Sequence, residues 1–167
     1  MKGILLINLG SPNDLSSKSI KDFLIEFLSD DLVVDYPKFI QQLLVKGIIV
    51  PFRYKNTQSA YKEVWTEDGS PLILTTQQLA KELSNETSLP VEIAMRYQNP
   101  SIKDGLAKLT KEGCTKIKVV PLYPHFAIST TLTTKLKVQE ELDKMDLDIE
   151  VEFVDSFFDS ELYIKAL

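Results

Sequence analysis

A near-continuous apolar run close to the amino terminus places the tightest constraint on the fold of this chain. Residues Gly3–Leu9 read GILLINL and end at the turn-forming Gly10-Ser11-Pro12. Apolar side chains on both sides of a strand are typical of the centre of a parallel sheet, where helices cover both faces. The run therefore predicts a buried central strand and, with it, an α/β fold.

The carboxyl-terminal half of the sequence predicts the rest of the sheet. Three further strands are expected, each entered from polar residues and left at a turn: Val91–Met95, Lys116–Leu122 and Ile149–Val154. A helix is expected after the first of them, because Ser101 and Asp104 have the spacing of a helix cap. A second helix is expected over Ser129–Met145. This alternation predicts an open four-stranded parallel sheet flanked by helices, with right-handed crossovers.

The first connection is too long for a simple crossover. Residues 11–90 far exceed the dozen or so residues that a crossover needs. They contain four helical patterns, at Ile20–Leu28, Lys38–Ile49, Thr57–Trp65 and Leu72–Leu83. We therefore predict one α/β lobe over 1–167 with a helical insertion over 11–90. The helix predicted after Ser160 has only seven residues, which favours a native polypeptide that continues further.

Composition excludes several classes of partner and site. With 19 Lys and Arg against 24 Asp and Glu, the net charge of −5 argues against nucleic acid as a partner. The single cysteine, Cys114, excludes an internal disulfide and an all-cysteine metal site, and we expect it to be a small buried apolar residue. The apolar run at the amino terminus is too short for a signal peptide or a spanning helix, so a cytoplasmic protein is expected.

Candidate binding residues follow the predicted strands, because ligands of open parallel sheets bind at the carboxyl ends of the strands. The loop that begins at Leu9 lacks the repeated glycines of a phosphate loop, which disfavours nucleotide cofactors. Arg96 suits either a ligand carboxylate or an internal salt bridge, and both readings stay open. His125 lies among aromatic residues, and a structural role is favoured over a role as base or metal ligand.

The segment Lys38–Phe52 holds more apolar residues than one buried helical stripe needs. Core packing explains part of this excess. An apolar ligand mouth and a membrane-facing surface are the two other interpretations, and the sequence leaves them open.

Five stretches, in order along nearly the whole chain, carry a resemblance to a known family. They are Gly3–Pro12, Phe23–Asp30, Ala60–Trp65 leading into Gly69–Leu72, Ala94–Ile102, and Pro121–Phe126 with Ser129–Thr131. Together they resemble the N-terminal half of ferrochelatase, the lyase that inserts ferrous iron into protoporphyrin IX in haem biosynthesis. The resemblance implies a two-lobed α/β enzyme that holds the porphyrin between its lobes, with this chain as the first lobe and a C-terminal lobe missing.

The resemblance also implies site residues. Those that would line the porphyrin site are Leu9, Ser70, Arg96, Tyr97 and Tyr123. The family's metal-inserting histidine belongs to a motif that these residues lack, and His125 matches a different position. We therefore expect no catalytic residue and no metal ligand here, with His125 the one minor candidate, and the chain alone should be inactive. No organic cofactor is implied, and iron is a substrate.

Two alternatives to a ferrochelatase lobe are kept. The same fold could hold or carry a tetrapyrrole without metallating it. It could also belong to a related chelatase that uses another metal or another tetrapyrrole. Independently of these, residues 38–52 could give the protein a weak contact with a membrane surface.

Overall fold

The computed structural model describes all 167 residues, which fall into two compact units. The sheet unit consists of residues 1–9, 76–96 and 100–167. The helical unit consists of residues 10–75 and 97–99. The lobe over 1–167 and the insertion over 11–90 stay predictions.

Four strands form one open parallel sheet in the order β2-β1-β3-β4. Their bounds are β1 Lys2–Gly10, β2 Val91–Tyr97, β3 Lys116–Pro121 and β4 Glu150–Phe153. In the register, Leu5 pairs with Val119, which pairs in turn with Phe153. Residues 3–7 of β1 are all buried, as expected for a strand covered on both faces. The predicted α/β class and the four-stranded parallel sheet are confirmed.

Three helices accompany the strands of the sheet: α5 Ile102–Lys111, α6 Thr133–Met145 and α7 Glu161–Ala166. The core of the sheet unit joins Leu5 and Val119 of the strands to Leu106 of α5 and Val138 of α6, all wholly buried. Burial of each such side chain contributes about 1.5–3 kcal/mol. Cys114 lies in the same core, and burial raises the pKa of its thiol, so the expectation of a small buried apolar residue is confirmed.

The start of α5 shows how local sequence sets an element's bounds. The Ser101 hydroxyl accepts a hydrogen bond from the Asp104 backbone N–H at 3.1 Å, and the Asp104 carboxylate accepts one from the Ser101 N–H at 3.2 Å. This reciprocal pair satisfies two N–H groups that the first turn of a helix leaves without partners. The predicted helix start is therefore confirmed.

The helical unit begins with α1 Ser17–Leu28, and its next element is one unbroken helical run. The run consists of α2 Lys38–Leu44, a π-turn over Val45–Ile49 and α3 Val50–Val64. The next helix, α4 Pro71–Thr87, begins in the helical unit, and its residues 76–87 belong to the sheet unit. The patterns predicted separately over Lys38–Ile49 and Thr57–Trp65 are thus joined. Pro51 lacks a backbone N–H, and the wider π-turn just before it, where Val50 N–H bonds to Val45 C=O, accommodates it.

The helical unit buries only part of its apolar surface. Ile20 and Leu24 of α1 pack with Val45 and Val50, which come from the π-turn and the start of α3. A second set of apolar residues in the same run faces solvent, namely Phe39, Ile40, Leu43, Ile48 and Phe52. We call this set the apolar lip. Core packing therefore accounts for only part of the apolar excess in Lys38–Phe52. No helix is both long and apolar enough to cross a membrane.

Candidate functional site

The predicted site residues divide between the two units. Leu9, Arg96, Tyr123 and His125 belong to the sheet unit. Ser70 and Tyr97 belong to the helical unit. Within the sheet unit, Arg96 near the end of β2 and Tyr123 just after β3 lie close enough for the arginine charge to act on the tyrosine hydroxyl. This pair is the part of the predicted site that the sheet brings together.

Arg96 is held by a residue that the sequence analysis did not single out. Its Nε–H donates a hydrogen bond of 2.9 Å to the hydroxyl oxygen of Thr133, the first residue of α6. Thr133 is 2% exposed, whereas Arg96 is half-buried. A guanidinium carries five N–H donors in a rigid plane, so a bond at Nε restricts the direction in which the whole group points.

Tyr123 adds a neutral phenol beside this arginine. Its ring is half-buried, and its hydroxyl is buried near the Thr134 hydroxyl. Burial raises the pKa of Tyr123 to about 12, although the Thr134 hydroxyl and the Arg96 charge both act to lower it. The phenol therefore stays protonated at neutral pH and is suited to hydrogen bonding rather than to accepting a proton as a base.

Hydroxyl side chains are concentrated where α6 begins. A second π-turn, Ile128–Leu132, runs directly into α6, and the hydroxyls of Thr131 and Thr134 are buried. Such π-turns occur often at functional sites. From the sequence, this segment was assigned only to the predicted helix Ser129–Met145 and to the resemblance at Ser129–Thr131. The missed signal is that four threonines, at 130, 131, 133 and 134, exceed what one cap requires.

His125 lies apart from any acid–base arrangement. Its side chain is exposed and its ring stacks on that of Phe158, with centroids 4.8 Å apart and an angle of 19° between the planes. Nowhere does the structure bring together three or more His, Cys, Asp or Glu side chains that could hold a metal ion. The geometry thus gives His125 an aromatic stacking partner, Phe158.

Leu9 sits at the end of β1, next to an asparagine that orders this end of the strand. Asn8 accepts a hydrogen bond from the Leu9 N–H at 2.8 Å and donates one to the Thr76 hydroxyl at 3.2 Å. Leu9 itself is half-buried. Asn8 was missed as a positioning residue, since a single asparagine inside an apolar run carries no pattern that marks its role.

Tyr97 follows Arg96 directly but has different surroundings, as expected for successive residues of a strand, whose side chains point to opposite faces. It is 1% exposed, its hydroxyl donates to Asp30 Oδ2 at 2.9 Å, and its ring meets Phe27 edge-on at 5.2 Å. Gly10 lies so close that a Cβ there would be 2.0 Å from the Tyr97 carbonyl oxygen. Tyr97 is therefore an anchor of the helical unit with almost no free surface.

Ser70 precedes α4 and closes a tight turn. The turn pairs Thr66 with Gly69, and Gly69 has a φ of +119°, which favours glycine. The Ser70 carbonyl accepts hydrogen bonds from the N–H groups of Ile73 and Leu74, and the residue is buried. The predicted separation of the helical patterns Thr57–Trp65 and Leu72–Leu83 is confirmed.

Comparison with known proteins assigns a family to this arrangement. The family model described as Ferrochelatase matches residues 1–167. The chain is 39% identical to a ferrochelatase of Photobacterium profundum, 42% to one of Opitutus terrae and 40% to ferrochelatase 1 of Shewanella oneidensis. Each match covers 99% of this chain and 51%, 49% and 51% of the three relatives. The chain thus spans about half the length of the curated relatives it matches.

Proposed function

Because the chain belongs to the ferrochelatase family, we propose that it is the N-terminal lobe of an enzyme that inserts ferrous iron into protoporphyrin IX. In this proposal the lobe contributes one wall of the porphyrin site. The proton-accepting base and the groups that deliver iron belong to the remainder of the longer protein. Ferrous iron is a substrate, and no organic cofactor takes part.

The observation that carries the proposal is the position of Arg96 and Tyr123 at the carboxyl ends of β2 and β3, where the Arg96 Nε–H donates to Thr133. Protoporphyrin IX is a broad apolar ring with two propionate groups. A guanidinium matches the planar geometry of a carboxylate, and a neutral phenol can face the ring or donate a hydrogen bond. Leu9 supplies apolar surface at the same edge. Ser70 and Tyr97, the other two residues that the resemblance implies, belong to the helical unit.

The side chains of this lobe suit binding better than metallation. Removal of the two pyrrole protons requires a base that is unprotonated near neutral pH. Tyr123, with a pKa of about 12, cannot serve. His125 is engaged in a ring stack at the surface. We therefore place the base outside residues 1–167 and keep His125 as the minor candidate within them.

A porphyrin titration tests the proposal directly. Protoporphyrin IX is added to the 167-residue chain while the Soret band and the fluorescence of the sole tryptophan, Trp65, are followed, and zinc is added afterwards as a substitute for iron. We expect saturable binding without metallation. Metallation by this chain alone would contradict the division of roles, and absence of binding would contradict a porphyrin-holding lobe.

Two arginine variants sharpen the titration, because the chain contains only Arg53 and Arg96. Arg96→Ala should weaken porphyrin binding while circular dichroism shows intact secondary structure. Arg53→Ala, which removes an exposed charge from α3, is the matched control and should bind as the unaltered chain does. If Arg96→Ala unfolds the chain, Arg96 is a structural salt-bridge residue instead.

The alternatives make different predictions for the longer protein. A tetrapyrrole carrier would bind porphyrin and never metallate it, even when the complete polypeptide is used. A chelatase for another metal or tetrapyrrole would prefer that substrate over ferrous iron and protoporphyrin IX. Activity of the complete protein with a panel of metals and tetrapyrroles therefore separates all three readings.

The apolar lip favours a second candidate function, a weak contact with a membrane surface through residues 38–52. Phe39 and Phe52 are each 81% exposed, Lys38 precedes Phe39, Arg53 follows Phe52, and Lys46 lies between them in the sequence. Exposed aromatic residues flanked by cations are typical of helices that bind at lipid interfaces. Flotation with vesicles that contain anionic lipid should recover the chain. The double variant Phe39→Ser, Phe52→Ser should stay in the soluble fraction, and equal flotation of both proteins would contradict the candidate.

A further inference from the structure

The contact between Arg96 and Thr133 joins two elements that are far apart in sequence. Arg96 is the next-to-last residue of β2, and Thr133 is the first residue of α6, so the hydrogen bond spans 37 positions. The bond engages Nε, the donor nearest to the stem of the side chain. A hydrogen bond at Nε holds the guanidinium plane at a chosen angle to that stem.

Thr133 is well suited to act as a fixed point. It is 2% exposed, and it follows the π-turn Ile128–Leu132 without a break. Further along the same helix, Val138 and Leu142 are buried in the core of the sheet unit. Packing of α6 therefore fixes the threonine hydroxyl. Because the Thr133 hydroxyl is fixed in place, its hydrogen bond holds the flexible Arg96 side chain in one orientation.

We propose that Thr133 is a positioning residue that aims the Arg96 guanidinium at a carboxylate of the bound porphyrin. The inference rests on the proposed function, since it assigns a structural support to the porphyrin-binding arginine. Thr133 itself does not touch the substrate. Its hydroxyl oxygen accepts a hydrogen bond from the Arg96 Nε–H. This bond lowers the entropic cost of fixing the Arg96 side chain in the orientation that binds the carboxylate.

The effect of losing this hydroxyl should depend on the charge of the ligand. Thr133→Val removes the acceptor oxygen and keeps a β-branched side chain in the buried site, whereas Thr133→Ser keeps the hydroxyl. Protoporphyrin IX carries two carboxylates, and its dimethyl ester carries none. If Thr133 acts only through Arg96, the valine variant should weaken binding of the diacid and leave binding of the ester unchanged.

The experiment uses the complete 167-residue chain and has two independent readouts. The first is the titration of diacid and dimethyl ester with the unaltered chain, Thr133→Val and Thr133→Ser. The matched control is Thr110→Val, which removes a hydroxyl from α5 of the sheet unit. We expect Thr133→Val to weaken diacid binding about tenfold, the size of one charge-assisted hydrogen bond. The serine variant and Thr110→Val should bind normally.

The second readout needs no porphyrin. Arg53 and Arg96 are the only arginines, so nitrogen-15 spectra of the side-chain Nε–H groups should show two assignable signals. We expect the Arg96 signal to exchange slowly with water, and to exchange faster in Thr133→Val, whereas the Arg53 signal should be the same in both proteins. The serine variant should restore slow exchange.

The possible outcomes separate the two proposals. Equal weakening of diacid and ester binding would make Thr133 a merely structural residue and overturn the inference, as would an Arg96 signal that is unchanged in Thr133→Val. Unaltered diacid binding by that variant would likewise overturn it. If the unaltered chain binds neither porphyrin, the proposed function fails, and the Nε–H spectra alone decide whether Thr133 holds Arg96.

Discussion

The sheet unit and the helical unit place their apolar side chains in opposite ways. In the sheet unit, Leu5, Leu106 and Val119 are wholly buried, and the strands and helices share one core. In the helical unit, a comparable density of apolar residues leaves Phe39 and Phe52 largely in solvent. The same kind of sequence pattern thus produces a core in one unit and a surface in the other.

This difference indicates what each region contributes. A buried apolar residue adds to the free energy of unfolding, because its side chain leaves water on folding. An exposed apolar residue adds little to that free energy, and a group of them is typical of a surface that binds another apolar surface. The buried core therefore stabilises the sheet unit, whereas the apolar lip contributes little to the stability of the helical unit.

The largest expected effect comes from two leucines that differ only in burial. Leu5→Ala in the sheet core should lower the free energy of unfolding by about 2–5 kcal/mol, because it removes buried surface and leaves a cavity. Leu43→Ala in the apolar lip, where the side chain is 61% exposed, should change it by less than about 0.5 kcal/mol. Urea unfolding followed by circular dichroism measures both. A large loss at Leu43 would show that the lip is core after all.

A second pair of variants tests whether the helical unit, despite its exposed apolar surface, contains a tightly packed backbone contact. Gly10 and Gly69 both have left-handed φ values, +112° and +119°. A Cβ at Gly10 would lie 2.0 Å from the Tyr97 carbonyl oxygen, whereas a Cβ at Gly69 would meet nothing within 4 Å. Gly10→Ala should therefore destabilise the chain by about 1–3 kcal/mol more than Gly69→Ala does. Equal losses in thermal or urea unfolding would mean that backbone strain alone matters.

The helix caps of the two units predict a smaller difference in the free energy of unfolding. Ser101 caps α5 of the sheet unit reciprocally with Asp104, whereas Ser16 caps α1 of the helical unit by accepting only the Ser19 N–H. Replacement of either serine by alanine should cost about 1 kcal/mol of the free energy of unfolding. The loss should be greater for Ser101→Ala, because that change disrupts the reciprocal hydrogen bonds between Ser101 and Asp104. An equal loss for both would show that the return bond from Asp104 contributes nothing measurable.

The smallest expected effect is a pH dependence carried by Asp104. The Ser101 hydroxyl, as the main cause, holds the pKa of the Asp104 carboxyl below its usual value. A lowered folded-state pKa stabilises the fold above the unfolded-state pKa of about 3.9, and this contribution is lost as the pH falls through the folded-state pKa. Asp104→Asn should therefore lose less stability than the unaltered chain between pH 5 and pH 2. Parallel pH profiles of the midpoint of thermal unfolding would contradict the prediction.

Much of the fold could be predicted because its signals are local. The four predicted strands agree with β1–β4 to within one or two residues at each end. The reason is that a parallel strand covered on both faces reads as a continuous apolar run with turn residues beyond it. The start of α5 was equally readable, since Ser101 and Asp104 satisfy backbone groups within four residues of each other.

The candidate site was only partly predictable from residues and from the resemblance. Arg96 and Tyr123 could be placed at one edge, because the carboxyl ends of parallel strands share an edge. Tyr97 was placed beside Arg96, but the strand turns successive side chains to opposite faces, and Tyr97 is bonded to Asp30. Thr133 was missed, since a hydroxyl at the start of a helix is also what an ordinary cap would show.

The sequence by itself determined the α/β class, the parallel sheet and the family, because apolar periodicity, capping residues and collinear motifs are all patterns of residues close together in the sequence. Only the tertiary structure decided which apolar residues of Lys38–Phe52 are buried, and that Arg96 is held by Thr133. Burial and long-range hydrogen bonds depend on which surfaces the folded chain brings together. No pattern within a short window of sequence contains that information.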